Sequence, residues 1–162
     1  MHKIPTISFD DLKNTDKDVL EFLTLSLENN GFFVINNHPI DLKLISNAFQ
    51  IAENMFNLPF DTKQKYHVPG TNGARGYTPY GIETALNEKV ADQKEFWHQG
   101  STSNTELMPN IYVDEIDNFK DLDTLYKEFE SMGVEILKAF ANFNLPYNCL
   151  LYTSPSPRDQ VV

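Results

Sequence analysis

Cysteine is almost absent from this chain: Cys149 is the only one in 162 residues. A lone thiol cannot form an intramolecular disulfide, and it excludes a thiolate-rich metal site. Arginine is nearly as scarce, since only Arg75 and Arg158 occur, and lysine never gathers into a basic run. With a formal net charge of −10 and a pI near 4.7, the chain offers no patch suited to nucleic-acid phosphates or an anionic membrane. Long apolar runs are missing as well. No stretch approaches the roughly 20 residues needed to cross a bilayer, and Met1-His-Lys-Ile-Pro-Thr6 lacks the apolar segment of a secretory signal. These absences predict a cytoplasmic protein with neither a nucleic-acid nor a membrane partner.

What is present is enough for a core. The chain is 41% hydrophobic and 12% aromatic, a composition of globular rather than disordered chains. Thr15 with Asp18 resembles a capping box, and Val19, Phe22, Leu23 and Leu27 follow as a helical stripe ending at Asn30-Gly31, a natural left-handed C-cap. Phe32 to Ile35 reads as a buried strand whose partner lies far away in sequence, because no hairpin signal adjoins it. Asp41 can cap a second helix carrying Ile45, Ala48, Phe49, Ala52, Met55 and Phe56, stopped by Pro59. Phe60 to Tyr66 gives a further short turn, and Gly70, Gly73 and Gly76 mark a loop. From Leu122 to Phe140 an apolar stripe predicts a helix of about six turns. Neither an internal repeat nor a Gly/Ser linker divides the chain.

Two segments carry the most specific signal: Gly73-Ala-Arg-Gly-Tyr-Thr-Pro-Tyr-Gly81 and Asp92-Gln-Lys-Glu-Phe-Trp-His98. Around them, in order, stand Ile4-Pro-Thr-Ile-Ser-Phe9 with Leu12, Asn30-Gly-Phe-Phe-Val-Ile-Asn-Asn-His38, Phe56-Asn-Leu-Pro59 with Lys63, Lys65 and Tyr66, and Asn110-Ile-Tyr-Val-Asp-Glu115 with Phe119. This series resembles the N-terminal region of isopenicillin-N-synthase-like non-haem iron(II)/2-oxoglutarate-dependent dioxygenases. Pro39 stands where that family has Gly, and Tyr112 and Val113 depart from its Asn-x-Trp-Pro. The resemblance implies an α+β segment, residues 1–148, whose helices buttress and whose strands extend a jelly-roll barrel that this chain is expected to lack. It also implies a parent oxidoreductase that uses iron(II), dioxygen and 2-oxoglutarate on a small-molecule substrate.

The family's ligand set is not found here. None of His2, His38, His67 and His98 is followed two residues later by Asp, so the His-x-Asp part of a facial triad is missing. Neither arginine begins the family's Arg-x-Ser. No metal ligand and no catalytic residue is therefore assigned, and the chain alone is expected to be inactive. By resemblance, Arg75 and Tyr77 lie at the mouth of the active site, where they are candidates to bind substrate. A guanidinium grips a carboxylate bidentately; the alternative is that Arg75 ties structurally to Glu83, Asp92 or Glu95.

Other features have plainer readings. In Lys94-Glu-Phe-Trp-His98 a strand places Glu95 and Trp97 on one face and Phe96 and His98 on the other, so Glu95 reads as structural and Trp97 as packing. A helix there would align Glu95 with His98 as in di-iron bundles, but no second copy of that pair exists. Gly70-x-x-Gly-x-x-Gly76 lacks the Gly-Lys-Ser/Thr of a phosphate loop. His38 is expected to satisfy a turn. The competing function is a non-catalytic acidic interaction module built on the last helix.

The tail is of another kind. Cys149-Leu-Leu-Tyr-Thr-Ser-Pro-Ser-Pro-Arg-Asp159 resembles an in-frame translation of a sequencing-library adapter. Asn occurs sixteen times up to Asn148 and never afterwards. Residues 149–162 are accordingly expected to be an artefactual tail.

Overall fold

The computed structural model describes residues 4–14, 17–71, 73–82, 90–103 and 108–144. Thr15 of the expected capping box, Glu83 and the tail from 149 lie outside the described residues. Two compact units are formed, one from Met1–Pro39 with Phe129–Val162 and one from Ile40–Glu128.

In the first unit, β1 (Thr6–Ser8) runs directly into α1 (Phe9–Lys13), whose start is capped by Ser8 Oγ accepting from the Asp10 N–H at 3.3 Å. α2 (Lys17–Asn30) ends as its residues predict. Gly31 takes φ +76° and its N–H donates to the Leu27 carbonyl at 3.0 Å. β2 (Val34–Asn36) then pairs in parallel with β1, Ile7 opposite Ile35. The strand's partner is thus distant in sequence, and the helices between supply the crossover that parallel pairing needs, but the expected buried strand is not found: Phe32 lies before β2, and both Phe32 and Val34 are exposed. Leu12 and Leu23 are fully buried beside Ile7, Phe9, Val19 and Ala139, with Phe33 set edge-on to Phe22 at 6.4 Å. The stripe fails at its last member: Leu27 is exposed, while Ser26 is buried with its hydroxyl donating to the Phe22 carbonyl at 2.6 Å. That local bond lets a small polar residue take the inward position without an unmet donor.

The second unit begins with α3 (Leu42–Phe56), capped by the Asp41 carboxylate accepting from the Lys43 N–H at 2.8 Å. α4 (Phe60–Gln64) follows after Pro59, whose carbonyl accepts from the Thr62 and Lys63 N–H groups. β3 (Gly76–Thr78) and β4 (Phe96–His98) pair antiparallel with Tyr77 opposite Trp97. Their core holds Ile51, Met55, Tyr77, Val113, Ile116 and Phe119, with Trp97 edge-on to Phe119 at 5.0 Å. Of the stripe expected on α3, Phe49 is 75% exposed, so the buried face is narrower than the sequence implies and centres on Ile51 and Met55. α5 (Asp121–Asn144) spans the long C-terminal stripe. No helix among the described residues is long and apolar enough to cross a membrane.

Gly76, expected within a loop, opens β3 instead. There φ is +75°, and a Cβ would lie 2.5 Å from the Tyr66 carbonyl oxygen and 2.9 Å from Ile111 Cδ1. The neighbouring Tyr77 N–H donates to that same carbonyl at 3.1 Å, so the close approach is part of the fold. Gly81 has nearly the same φ, +76°, with nothing within 4 Å of a Cβ. Gly81→Ala should therefore cost only the conformational penalty of about 1–2 kcal/mol. Gly76→Ala should cost clearly more, and urea unfolding followed by fluorescence of Trp97 measures the difference. Equal costs would show that the Tyr66 backbone yields freely.

Candidate functional site

The side chains around β3 are fixed by one buried ion pair. α4 directs Lys63 inward, where its Nζ lies 2.8 and 3.0 Å from the two Glu95 oxygens and donates to the Phe56 carbonyl at 3.0 Å. The side chains are only 8% and 12% exposed. All three ammonium protons thus have acceptors, one of them a carbonyl at the end of α3, where positive charge is favoured. The Tyr77 hydroxyl donates to Glu95 Oε2, and the Lys63 ammonium lies 5.5 Å from the centre of its ring. Burial pushes the Glu95 carboxyl up, but Lys63 and the Tyr77 hydroxyl outweigh it and hold its pKa below the ordinary value. Burial and the Glu95 carboxylate together raise that of Tyr77.

Arg75 sits one residue before β3 and is only 6% exposed. Its Nη1 donates to its neighbour's carbonyl, Ala74 O, at 2.6 Å, while the buried Nε has no hydrogen-bond partner. Glu95 is taken by Lys63, and Asp92 by Lys94 at 2.9 Å. Among the described residues, Arg75 forms no ion pair, so neither tie expected within that set is made. Tyr77 is 1% exposed and faces the core. His67 Nδ1 lies 3.0 Å from the Tyr77 carbonyl, and so carries the proton.

A second polar cluster lies alongside. Asp123, in the first turn of α5, accepts from Gln99 Nε2 at 2.6 Å, Asn110 Nδ2 at 2.8 Å and the Tyr112 hydroxyl at 2.7 Å. Its carboxylate, followed by burial, raises the Tyr112 pKa to about 12. Asn110 opens a segment that the family resemblance marks, but nothing in that resemblance gives it a role in the site, and nothing in their spacing marks Asp123 or Gly100.

β4 settles the helical alternative at Glu95 and His98. His98 closes β4 and Glu95 lies just before it, outside any helix, and the Phe96 and His98 rings meet on one face at 4.7 Å. Trp97 packs as expected. The expectation for His38 fails, since its buried Nδ1 has no partner. No three His, Cys, Asp or Glu side chains among the described residues are placed to hold a metal ion. These residues do not fit an iron site, and no step of metal chemistry is assigned to them.

The Glu95 shift sets a pH dependence. A carboxyl held below its ordinary 4.5 adds stability that is complete above that value and is lost as pH falls through the folded-state pKa. Urea midpoints should therefore drop from about pH 5 downward, and Glu95→Gln should flatten that limb. An unchanged acid limb in Glu95→Gln would assign the loss to other carboxylates.

The matching family model is described as the N-terminal region of the non-haem dioxygenase in morphine synthesis, and it covers residues 4–115. The 2-oxoglutarate-dependent dioxygenase ucsF of Acremonium is 25% identical across 75% of this chain and 40% of its own length. A 1-aminocyclopropane-1-carboxylate oxidase of Dictyostelium mucoroides is 26% identical across 90% of this chain and 44% of its own. Among solved structures, a protein from Caulobacter crescentus assigned to the 2OG-Fe(II) oxygenase family matches with a TM-score of 0.71 and 31% identity, over 98% of this chain and 53% of that one. The chain thus spans less than half the length of these curated relatives. Since the family match covers well over half of the residues, the chain belongs to the non-haem dioxygenase family, whose N-terminal region it carries.

Proposed function

We propose that residues 1–148 are the N-terminal portion of an iron(II)/2-oxoglutarate-dependent oxidoreductase acting on a small molecule in the cytoplasm, and that 149–162 are foreign to it. In such an enzyme the iron and the 2-oxoglutarate supply the redox chemistry. This chain's residues bind and orient. The observation that carries the reading is Arg75, a guanidinium 6% exposed with no carboxylate against it among the described residues. Burying a cation without a counter-charge is costly, and a substrate carboxylate would offset that cost. Tyr77 serves the same strand: with its hydroxyl given to Glu95, it fixes the backbone beside Arg75, and it reaches substrate only if Glu95 releases it. The acidic interaction module gains nothing from the family match.

Two results test this. Genomic sequence across Asn148 should continue into a frame encoding His-x-Asp and a later His, and a stop codon there would contradict the proposal. In the enzyme so completed, Arg75→Lys keeps the charge but loses the fork, weakening a carboxylate contact by about 1–3 kcal/mol. This should appear chiefly as a raised KM. Earlier melting with unchanged kinetics would instead make Arg75 a structural tie.

A further inference from the structure

We propose that Asn110 is a positioning residue for Arg75: it fixes the Gly100 peptide on which the guanidinium rests, and Asp123 holds Asn110 in the orientation required. The inference rests on the reading that Arg75 binds an anion, and adds the device that aims it. Gly100 is buried, and a Cβ on it would lie 2.2 Å from Arg75 Cζ, 2.3 Å from Nη2 and 2.6 Å from Nη1. The guanidinium therefore occupies the space where any other residue would place its side chain.

That seat is clamped on both its polar atoms. Asn110 Oδ1 accepts from the Gly100 N–H at 2.9 Å, and Asn110 Nδ2 donates to the Gly100 carbonyl at 2.7 Å. The same Nδ2 donates to Asp123 Oδ1 at 2.8 Å. A carboxylate only accepts, so it forbids the flipped amide, which would turn both Gly100 contacts into clashes of like groups. Asp123 is itself held by Gln99 and the Tyr112 hydroxyl, and Gln99 Oε1 accepts from Trp97 Nε1 at 3.0 Å. A surface arginine needs no such support. Here a chain of directed bonds ends on the Gly100 peptide, against which packs a cation whose own Nε is buried and unpartnered, and such a seat holds a donor ready for a planar acceptor such as a carboxylate.

The test uses the whole chain with 15N-labelled arginine, the Arg75 Nε–Hε signal being assigned by its loss in Arg75→Lys. In Asn110→Ala that proton should exchange with water about tenfold faster, the scale of one lost hydrogen-bonded clamp, while Trp97 fluorescence stays native. Gly100→Ala should shift the signal. Succinate serves as the carboxylate probe: it should move the Arg75 signal in the unaltered chain and bind about tenfold more weakly to Asn110→Ala. Unchanged exchange and shift in Asn110→Ala would overturn the positioning role whatever succinate does. Altered exchange with no succinate response in any variant would uphold the seat and remove the anion reading. Should Asn110→Ala not fold, Asp123→Asn, which removes only the charge that orients the amide, carries the same comparison.

Discussion

The ion pair of Lys63 with Glu95 is the constraint on which the second unit depends. Two opposite charges are taken almost wholly out of water, and the desolvation of each costs several kcal/mol before any attraction is counted. The geometry offsets this because no proton of the ammonium is left over: two go to the carboxylate and one to the Phe56 carbonyl at the end of α3. The Tyr77 hydroxyl gives the carboxylate a further donor. Four elements meet at this point, α3 through Phe56, α4 through Lys63, β3 through Tyr77 and the approach to β4 through Glu95. An apolar pair of equal volume could match its stability, but not its direction, since only a fully bonded charge pair tolerates so few arrangements.

Arg75 is the contrast that gives the site its meaning. Lys63 and Arg75 are both buried cations on the same unit. One has a carboxylate and a carbonyl; the other has a single backbone carbonyl and a peptide seat. The difference is not a shortage of acid, for the chain has 23 Asp and Glu against 13 Lys and Arg. Nearby carboxylates are spent on lysines or, in Asp123, on neutral donors. Such a distribution leaves the guanidinium with no ion pair among the described residues.

The helices were legible because their signals are local. Asp41 caps α3 and Gly31 ends α2 through bonds spanning a few residues, whereas Phe96–His98 can be read as strand or helix until its pairing with β3 is known. The motif containing Arg75 and Tyr77 was readable as a motif. What could not be read was direction. Lys63 and Glu95 are 32 positions apart with no pattern linking them, and their neighbours Lys65, Asp92 and Lys94 offered equally plausible partners. Gly100 and Asn110 matter through a contact and a clamp, neither of which leaves a period in the sequence. Phe49 and Leu27 mislead for the converse reason: periodicity marks a face, and how much of that face is covered is decided by packing.

A double-mutant cycle on Lys63 and Glu95, with Lys63→Met and Glu95→Gln alone and combined, tests most directly whether this pair organises the second unit. Urea unfolding followed by Trp97 fluorescence reads each step. Each single change should cost about 3–5 kcal/mol, because it leaves a buried group without its counter-charge. The double change should cost markedly less than the sum, with a coupling of at least about 1.5 kcal/mol. Additivity within about 0.5 kcal/mol would contradict the account and reduce the pair to two independent packing residues.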